Sequence, residues 1–421
     1  MKGRNMREDM QDRMLLVTQG FPFDECERAF LEVEFEELTK RFQMNVLANN
    51  VTGKIVHKFP EDIPCWRYHI GKLYIFRLPA QLRYPEVRKD IVSCWFAMKA
   101  REKIRTTIRI LAYSLRAEEL FRQMEEIVKQ QNINFIYTYW CTQATVAAVR
   151  LKKRYPQLKV ITRFHGYDLY RERVAGNWQP LRPFIAGNAN LLVFACKRGR
   201  EYFLGQWPGE WEKYSIVSYL GTRAMQRVIP QNTDKLAVVS CSNLIPLKRV
   251  HMIIEALALL PDQIRVEWHH LGDGSEREKL EKLAVEKLTP KPHIFWKFWG
   301  EVPHDEIETV YQKISPDLFI TTSSTEGGAP VSVQESFAMG IPAIGTDVGG
   351  MAELISNRET GYLLPADFDF FEATHCIESY GKLSAAEKKS MAENALNKWK
   401  KHFSAEKNAK KFVEILKRMG Q

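Results

Sequence analysis

The stretch from Ser323 to Glu353, SSTEGGAPVSVQESFAMGIPAIGTDVGGMAE, admits few folds. Gly327, Gly328 and Pro330 open an apolar-periodic run, Val331 to Met339, and Gly340 with Pro342 closes it. Pro suits the first position of a helix and Gly the left-handed residue beyond its last turn, so both ends of a helix are marked. The apolar runs Leu318 to Thr322 before it and Ile341 to Gly345 after it have the length of buried strands. Strand, glycine-rich turn, helix and strand predict an α/β unit with a parallel sheet.

A glycine-rich turn feeding a helix start aims several backbone N–H groups at one point, and the helix dipole adds partial positive charge there. Such a place suits phosphate. Glu335 lies about one turn into the helix, where an ionised carboxylate can accept hydrogen bonds from the two hydroxyls of a ribose, each worth roughly 1.5–3 kcal/mol. A solvated Glu on a helix face is the plainer alternative.

The stretch resembles the signature of the retaining nucleotide-sugar glycosyltransferases of family 4. There, two glutamates separated by seven residues flank a Gly and a Pro, followed by a Gly-x-Pro turn and a strand. By position Glu326 and Glu335 correspond, although Glu326-Gly-Gly-Ala-Pro is one residue longer and the separation becomes eight. The resemblance implies that Glu335 holds the donor's ribose and that Glu326 lies against the donor sugar and diphosphate. Gly327, Gly328, Ala329, Pro330 and Val331 would line the same donor site.

At 421 residues the chain exceeds what one core usually supports, so two domains are expected. Hydrophobic residues at 45% and charged residues at 27% suit a globular chain, and no apolar run approaches the ~18 residues that cross a bilayer. Acidic residues Glu8, Asp9 and Asp12 break up the N-terminus, and Met14 to Thr18 is too short for a signal-peptide core. The expected location is therefore cytoplasmic. Seven cysteines without a C-x-x-C pair argue against a disulfide framework and against zinc. A net charge of +10 points to an anionic partner, and no recognisable module supports nucleic acid as that partner.

Met14 to Thr18, Gln19-Gly-Phe-Pro-Phe and the helical pattern Ala29 to Phe42 form the opening of a Rossmann-like unit without G-x-G-x-x-G. The turn with Gly20 and Phe21 is thus assigned to an acceptor substrate; Phe21-Pro22 and Glu27 match the family's Phe-Pro and acidic helix start. Ile91 to Gln131 is expected as one long helical tract. Within it Lys99, Arg101, Lys103, Arg105 and Arg109 interleave with Trp95, Phe96, Ile104 and Ile108. This pattern fits either a helix on an anionic membrane, at its inner face, or a packed helix with a solvated basic side.

Phe135 to Tyr139 and Lys159 to Phe164 are predicted strands, the first followed by Trp140 and the second by His165-Gly166-Tyr167-Asp168. Polysaccharide-building relatives often carry His-Gly-Tyr-Asp here, which implies that His165 is catalytic and that Tyr139, Trp140 and Asp168 are on the acceptor side. By its residue type, His165 can donate to a sugar hydroxyl or phosphate. Further strands are expected at Leu191 to Ala195 and Ser215 to Tyr219, with an interdomain linker after Gly221.

Beyond the linker, Leu236 to Ser240 leads through Cys241 to Lys248 into a helix from Val250. Lys248 and Arg249 stand at this strand-to-helix junction, where cations can reach phosphate. In the family an Arg and a Lys of this loop bind the diphosphate; Lys248 matches the Lys, while Asn243 occupies the Arg position and Arg249 is the candidate substitute. Gly272, in Gly-Asp-Gly, follows the strand Val266 to Leu271. Asp367-Phe-Asp369 looks like a metal-binding Asp-x-Asp but falls after the donor motif and is assigned to a loop. No metal and no cofactor are expected.

These readings imply an α/β protein of GT-B type, two Rossmann-like domains facing a cleft. Residues 1–225 would bind the acceptor and 226–403 the nucleotide-sugar donor, with a helix at about 404–421 packing back on the first. The function implied is a retaining transfer from a nucleotide diphosphate sugar to a glycan or lipid-linked acceptor in bacterial polysaccharide synthesis. A sugar-nucleotide epimerase and a non-catalytic nucleotide-sugar-binding partner are the alternatives.

Overall fold

The computed structural model describes residues 12–23, 27–48, 59–68, 75–229 and 234–420. Part of the N-terminal segment used above to assign location, and residues 230–233 of the expected linker, lie outside these. The chain forms two compact units, residues 1–218 with 409–421, and residues 219–408.

The first unit holds strands β1 (Arg13–Thr18), β2 (Gln43–Ala48), β3 (Cys65–Arg67), β4 (Phe135–Thr138), β5 (Lys159–Phe164), β6 (Leu191–Phe194) and β7 (Ser215–Val217). They make one sheet in the order β3-β2-β1-β4-β5-β6-β7, every pair parallel. Its helices are α1 (Arg28–Thr39), α2 (Pro85–Ala97), α3 (Ala100–Gln130), α4 (Gln143–Arg154), α5 (Arg182–Ala186) and α6 (Lys197–Gln206).

The second unit carries β8 (Lys235–Cys241), β9 (Arg265–Leu271), β10 (Ile294–Phe298), β11 (Leu318–Thr321), β12 (Ala343–Thr346) and β13 (Gly361–Leu364), in the parallel order β10-β9-β8-β11-β12-β13. Its helices are α7 (Val250–Ala258), α8 (Arg277–Leu288), α9 (Ile307–Ile314), α10 (Val331–Ala338), α11 (Met351–Leu354), α12 (Phe370–Gly381) and α13 (Ala385–His402). The last helix, α14 (Ala405–Gly420), begins here and ends in the first unit.

Successive residues of a strand face opposite sides of the sheet, so a strand covered on both faces must be apolar throughout. β11 shows it: Leu318 and Ile320 join one core and Phe319 the other. β8 does the same with Leu236 and Val238 against Val239. At the far end of the chain, Phe412 of α14 packs its ring on Tyr137 of β4, beside the Arg163 guanidinium. Arg163 is fully buried; it pairs with Glu34 of α1, donates to the Tyr137 hydroxyl at 2.7 Å and to the Ser218 carbonyl at 2.8 Å.

Two expectations are corrected. The tract from Ile91 to Gln131 is two helices, because Met98 and Lys99 are extended (ψ 157° and 151°) and turn the chain between α2 and α3. At that corner Trp95, Phe96, Ile104 and Ile108 are 49%, 89%, 63% and 50% exposed, while Cys94 and Ile110 are buried. Pro330 is the cap before α10 instead of its first residue. Asp367-Phe-Asp369 lies in the loop before α12, as expected, and Asp369 caps that helix, accepting from the Glu372 N–H while Glu372 accepts from its own. No helix among the described residues is long and apolar enough to cross a membrane.

Candidate functional site

Parallel strands deliver their C-terminal ends, and the loops that follow, to one edge of a sheet, where open α/β folds bind ligands. In the second unit the loops after β8, β9, β11 and β12 are laced together there. Ser324 N donates to the Leu247 carbonyl at 2.8 Å, Leu244 N to that of Asp273 at 2.8 Å, and Gly350 N to that of Gly328 at 2.9 Å. Two glycines permit the crowding. A Cβ on Gly349, at φ +55°, would stand 2.5 Å from the Glu326 carbonyl oxygen, and one on Gly272, at φ +131°, would stand 2.0 Å from that of Ser242.

This lacing brings Lys248 to Glu326, with Nζ donating to Oε1 at 2.6 Å; the two side chains are 23% and 14% exposed. Glu335, buried in the second turn of α10, accepts from His304 Nε2 at 2.8 Å. Between them lies Cys241, whose thiol burial pushes up to about 12, the Glu335 carboxylate acting in the same direction and Tyr311 and Lys248 against it. At the start of α10 the amides of Val331, Ser332 and Val333 belong to the first turn, which has no intrahelical acceptor for them. Ala329 is buried and Gly327, Gly328 and Pro330 are half-buried around this turn. Asn243 is exposed on the loop after β8.

Arg249 departs from its expected place. Its backbone is left-handed (φ 48°), and its guanidinium donates to the carbonyls of Thr322 at 2.7 Å and Ser323 at 3.3 Å over the Phe368 ring. It ties β11 to the loop after β13, so Lys248 is the cation that meets Glu326. Sequence reasoning missed His304 and the support under Gly272: Trp268 donates to Ser240, Ser240 lies 2.8 Å from His270 Nδ1, and His270 Nε2 donates to the Ser242 carbonyl. Burial lowers His270 to about 4, so its ring is neutral in this chain of bonds. Three consecutive polar positions in one buried strand, Trp268-His269-His270, were the available signal.

In the first unit the turn after β1 is filled by the protein itself. The Glu27 carboxylate accepts from the backbone N–H groups of Gln19 at 3.1 Å, Gly20 at 2.7 Å and Phe21 at 2.8 Å, and from Trp140 Nε1. Gly20 and Phe21 are buried, and their backbone N–H groups are taken by Glu27. Tyr139 is fully buried too, its hydroxyl on the Phe30 carbonyl. Asp168 is likewise internal: it accepts from the N–H groups of Cys141 and His165, each at 2.9 Å, and burial raises it to about 6.

His165 is held under Trp140, ring centres 4.2 Å apart, and burial, with Arg163 nearby, lowers it to about 3. Its ring is therefore neutral. Nε2 contacts the Tyr139 carbonyl at 3.0 Å and must carry the proton to do so, which leaves Nδ1 an acceptor. The sequence assigned it donation to a sugar or phosphate; the geometry makes it an acceptor. The ring presented to solvent is the missed Tyr167, 43% exposed and stacked on the half-buried Trp140.

Residues 222–398 match the family model of glycosyl transferases group 1. The putative colanic acid biosynthesis glycosyltransferase WcaL of Escherichia coli (strain K12) is 24% identical over 268 residues, 61% of this chain and 64% of that one. Its Salmonella typhimurium counterpart is 28% identical over 49% of this chain and 52% of that one, so the chain spans less than two thirds of either. The lipopolysaccharide 1,6-galactosyltransferase of E. coli K12 is 34% identical over 30% of this chain and 33% of its own.

Among solved structures, Anabaena Alr3699/HepE in complex with UDP and glucose superposes with a TM-score of 0.65 at 18% identity, covering 96% of this chain and 99% of that one. The lipopolysaccharide outer core galactosyltransferase WaaB gives 0.71 at 14% identity over 96% and 99%. The fold is GT-B. At these identities the likeness concerns the fold alone.

Proposed function

We propose that this chain is a retaining glycosyltransferase, moving a sugar from a nucleotide diphosphate donor to a hydroxyl of a glycan or lipid-linked acceptor in bacterial polysaccharide synthesis. One observation carries the reading: Lys248, Glu326, the first turn of α10 and Glu335 converge on one sheet edge. They lie inside the stretch matching the group 1 family model. The names of the relatives support the transferase and polysaccharide parts, and the UDP in the Anabaena structure supports the nucleotide.

In this reading Lys248 and the α10 amides meet the donor's diphosphate, Glu335 the ribose and Glu326 the sugar. As the glycosidic C–O bond breaks, negative charge grows on the diphosphate, where preorganised donors act most strongly. The bond to the acceptor oxygen forms on the same face, and its proton passes to the leaving phosphate oxygen. No protein nucleophile and no metal take part. His165 accepts from an acceptor hydroxyl through Nδ1, and Tyr167 with Trp140 offers an aromatic surface to a sugar ring.

The exposed Trp95, Phe96, Ile104 and Ile108 support an anionic bilayer as the partner of the α2–α3 corner. Between Lys99 and Arg109 stand five cations, Lys99, Arg101, Lys103, Arg105 and Arg109, against Glu102, a net of +4. The inner face of the membrane would bring the chain to a lipid-linked acceptor. The non-catalytic reading keeps one specific observation, Arg249 turned onto carbonyls with Asn243 in the family's Arg position.

The test is nucleotide binding followed by transfer. Nucleoside diphosphates are expected to raise the melting temperature, and Glu335→Ala to weaken them roughly 10- to 150-fold, the loss of one charged hydrogen bond. Binding without transfer to any lipid-linked acceptor establishes the partner reading instead; sugar interconversion with donor alone establishes the epimerase.

A further inference from the structure

Along α2 the first unit carries a cavity of about 1140 Å³ that is open to solvent on one side, bounded by α2, α3, α4, α5 and the end of α6; Pro85, Lys89, Ser93, Ala97 and Lys153 stand exposed at its rim. Pockets of roughly 300–1,000 Å³ hold drug-sized ligands, so this one is large. Its floor is apolar: Trp178, Leu181, Phe184 and Trp207 line it. Along α2 the residues lining it include Pro85, Lys89, Ser93 and Ala97, one stripe at every fourth position, together with Glu86 and Asp90. Val92 and Phe96, on another stripe of the same helix, are 54% and 89% exposed. One helix thus separates the cavity from the apolar corner.

The charges around the cavity are unequal. Glu86 pairs with Arg150, Glu118 with Arg77, Arg83 and Arg122, and Asp90 is internal, accepting from Leu181 N and Trp178 Nε1. Lys89 and Lys153 line the cavity without an ion pair among the described residues, while Arg171, also on its wall, donates to the Asn177 carbonyl at 3.0 Å and to Gln206 Oε1 at 3.3 Å and lowers the Asp90 carboxyl against its burial. Lys153 lies 4.5 Å from the Phe184 ring centre and Arg171 4.8 Å from that of Trp178, so cation and apolar wall are side by side. An apolar floor with unneutralised cations beside it fits an anionic head on a hydrocarbon tail.

The cavity is also joined to the Trp140–Tyr167 surface by rigid bonds. Gln179 donates to the Tyr167 carbonyl at 2.6 Å, and buried Arg182 donates to the carbonyls of Cys141 and Asp168 and to Gln179 Oε1. The segment 167–182 therefore forms the wall of the cavity at one end and the aromatic surface at the other.

We infer that this cavity binds the chain of a single-chain lipid phosphate, with the phosphate on Lys89, Lys153 and Arg171. This rests on the lipid-linked reading of the acceptor, for which it would be the anchor site. The chain leaves the bilayer at the α2–α3 corner and lies along the Lys89–Ser93–Ala97 stripe, which sets the head group beside the segment that carries Tyr167.

The test is isothermal titration of the full chain, without donor, with alkyl phosphates of eight to twelve carbons, dodecanol and farnesyl phosphate. Affinity is expected to rise roughly fourfold per methylene, and dodecyl phosphate to bind at least tenfold more tightly than dodecanol. Whichever of farnesyl and dodecyl phosphate binds more tightly names the source, isoprenoid carrier or straight-chain lipid. Ser93→Trp puts an indole across the stripe on which the chain would lie and is expected to weaken binding at least tenfold; Lys153→Glu is expected to bring the phosphate close to the alcohol.

No dependence on chain length in the wild type overturns the site, and this needs no variant. Wild-type binding by Ser93→Trp at an unchanged melting temperature overturns it as well. Nucleoside diphosphate affinity, measured in parallel, separates the two ideas: a lipid that fails to bind while nucleotide binds sinks the anchor site alone, and the reverse sinks the donor reading.

Discussion

Glu326 and Lys248 make opposite demands on each other, and their separation allows the demands to be told apart. At 2.6 Å the two charges attract with ~6 kcal/mol at an effective dielectric of ~20, before desolvation is charged against it. With both side chains less than a quarter exposed, what survives is about the 1.5–3 kcal/mol of a charge-assisted hydrogen bond. A donor diphosphate must draw Lys248 partly away from Glu326. Lys248→Ala is therefore expected to weaken nucleoside diphosphate roughly 10- to 150-fold, by the same hydrogen-bond figure. Glu326→Ala releases the ammonium, so nucleoside diphosphate should bind as well as before or more tightly, by no more than the same factor. Transfer should nevertheless fall at least about a hundredfold, since the contact to the sugar is made mainly in the transition state. Calorimetry with nucleoside diphosphate and single-turnover transfer from labelled donor measure the two quantities. Glu326→Ala weakening nucleotide as strongly as Lys248→Ala would show that the carboxylate merely positions the lysine, and the catalytic assignment would be wrong.

The remaining predictions concern membrane, stability and pH. Sedimentation with anionic vesicles should be salt-sensitive, and Phe96→Ser with Ile104→Ser should reduce it without changing the melting temperature; equal sedimentation with neutral vesicles removes the membrane proposal. Glu34→Ala leaves the fully buried Arg163 without its carboxylate and should cost about 3–5 kcal/mol of stability, read from denaturant midpoints. A change under 1 kcal/mol would mean that Arg163 finds enough in Tyr137 and Ser218. His165, at about 3 in the fold against 6.5 when unfolded, contributes stability that is full above pH 6.5 and is lost as pH falls toward 3. The stability cost of His165→Gln should accordingly shrink between pH 7 and pH 4.5, and a cost independent of pH would show that the ring is not held neutral.

Burial on both faces marks some strands: Lys159 to Phe164 is read to the residue, because five of its six side chains enter the core, whereas β2, buried to the same extent, is not predicted, Asn45 interrupting its apolar run. β3 gives no such signal, being three residues long and only partly buried. The break between α2 and α3 is silent as well, since neither Gly nor Pro marks Met98-Lys99 and only the extended backbone makes it. At the site, residue types were legible and pairings were not. The sequence offers Lys248 and Arg249 as neighbours with equal charge; which one turns to Glu326 depends on the left-handed backbone of Arg249, which sends its guanidinium to the carbonyls of Thr322 and Ser323. Tyr139 and Asp168 show the reverse case: polar residues at a strand end look available, and burial decides otherwise.

The carboxylate of Glu27 has a consequence for stoichiometry. The turn of backbone amides after β1 and the first turn of α10 would ordinarily offer two berths for an anion. In the first unit that berth is already taken by a tethered side chain at an effective concentration no free nucleotide matches. If the proposed donor site is right, a molecule wired in this way is expected to titrate with one nucleotide per chain, with none of its donor parked on the other half.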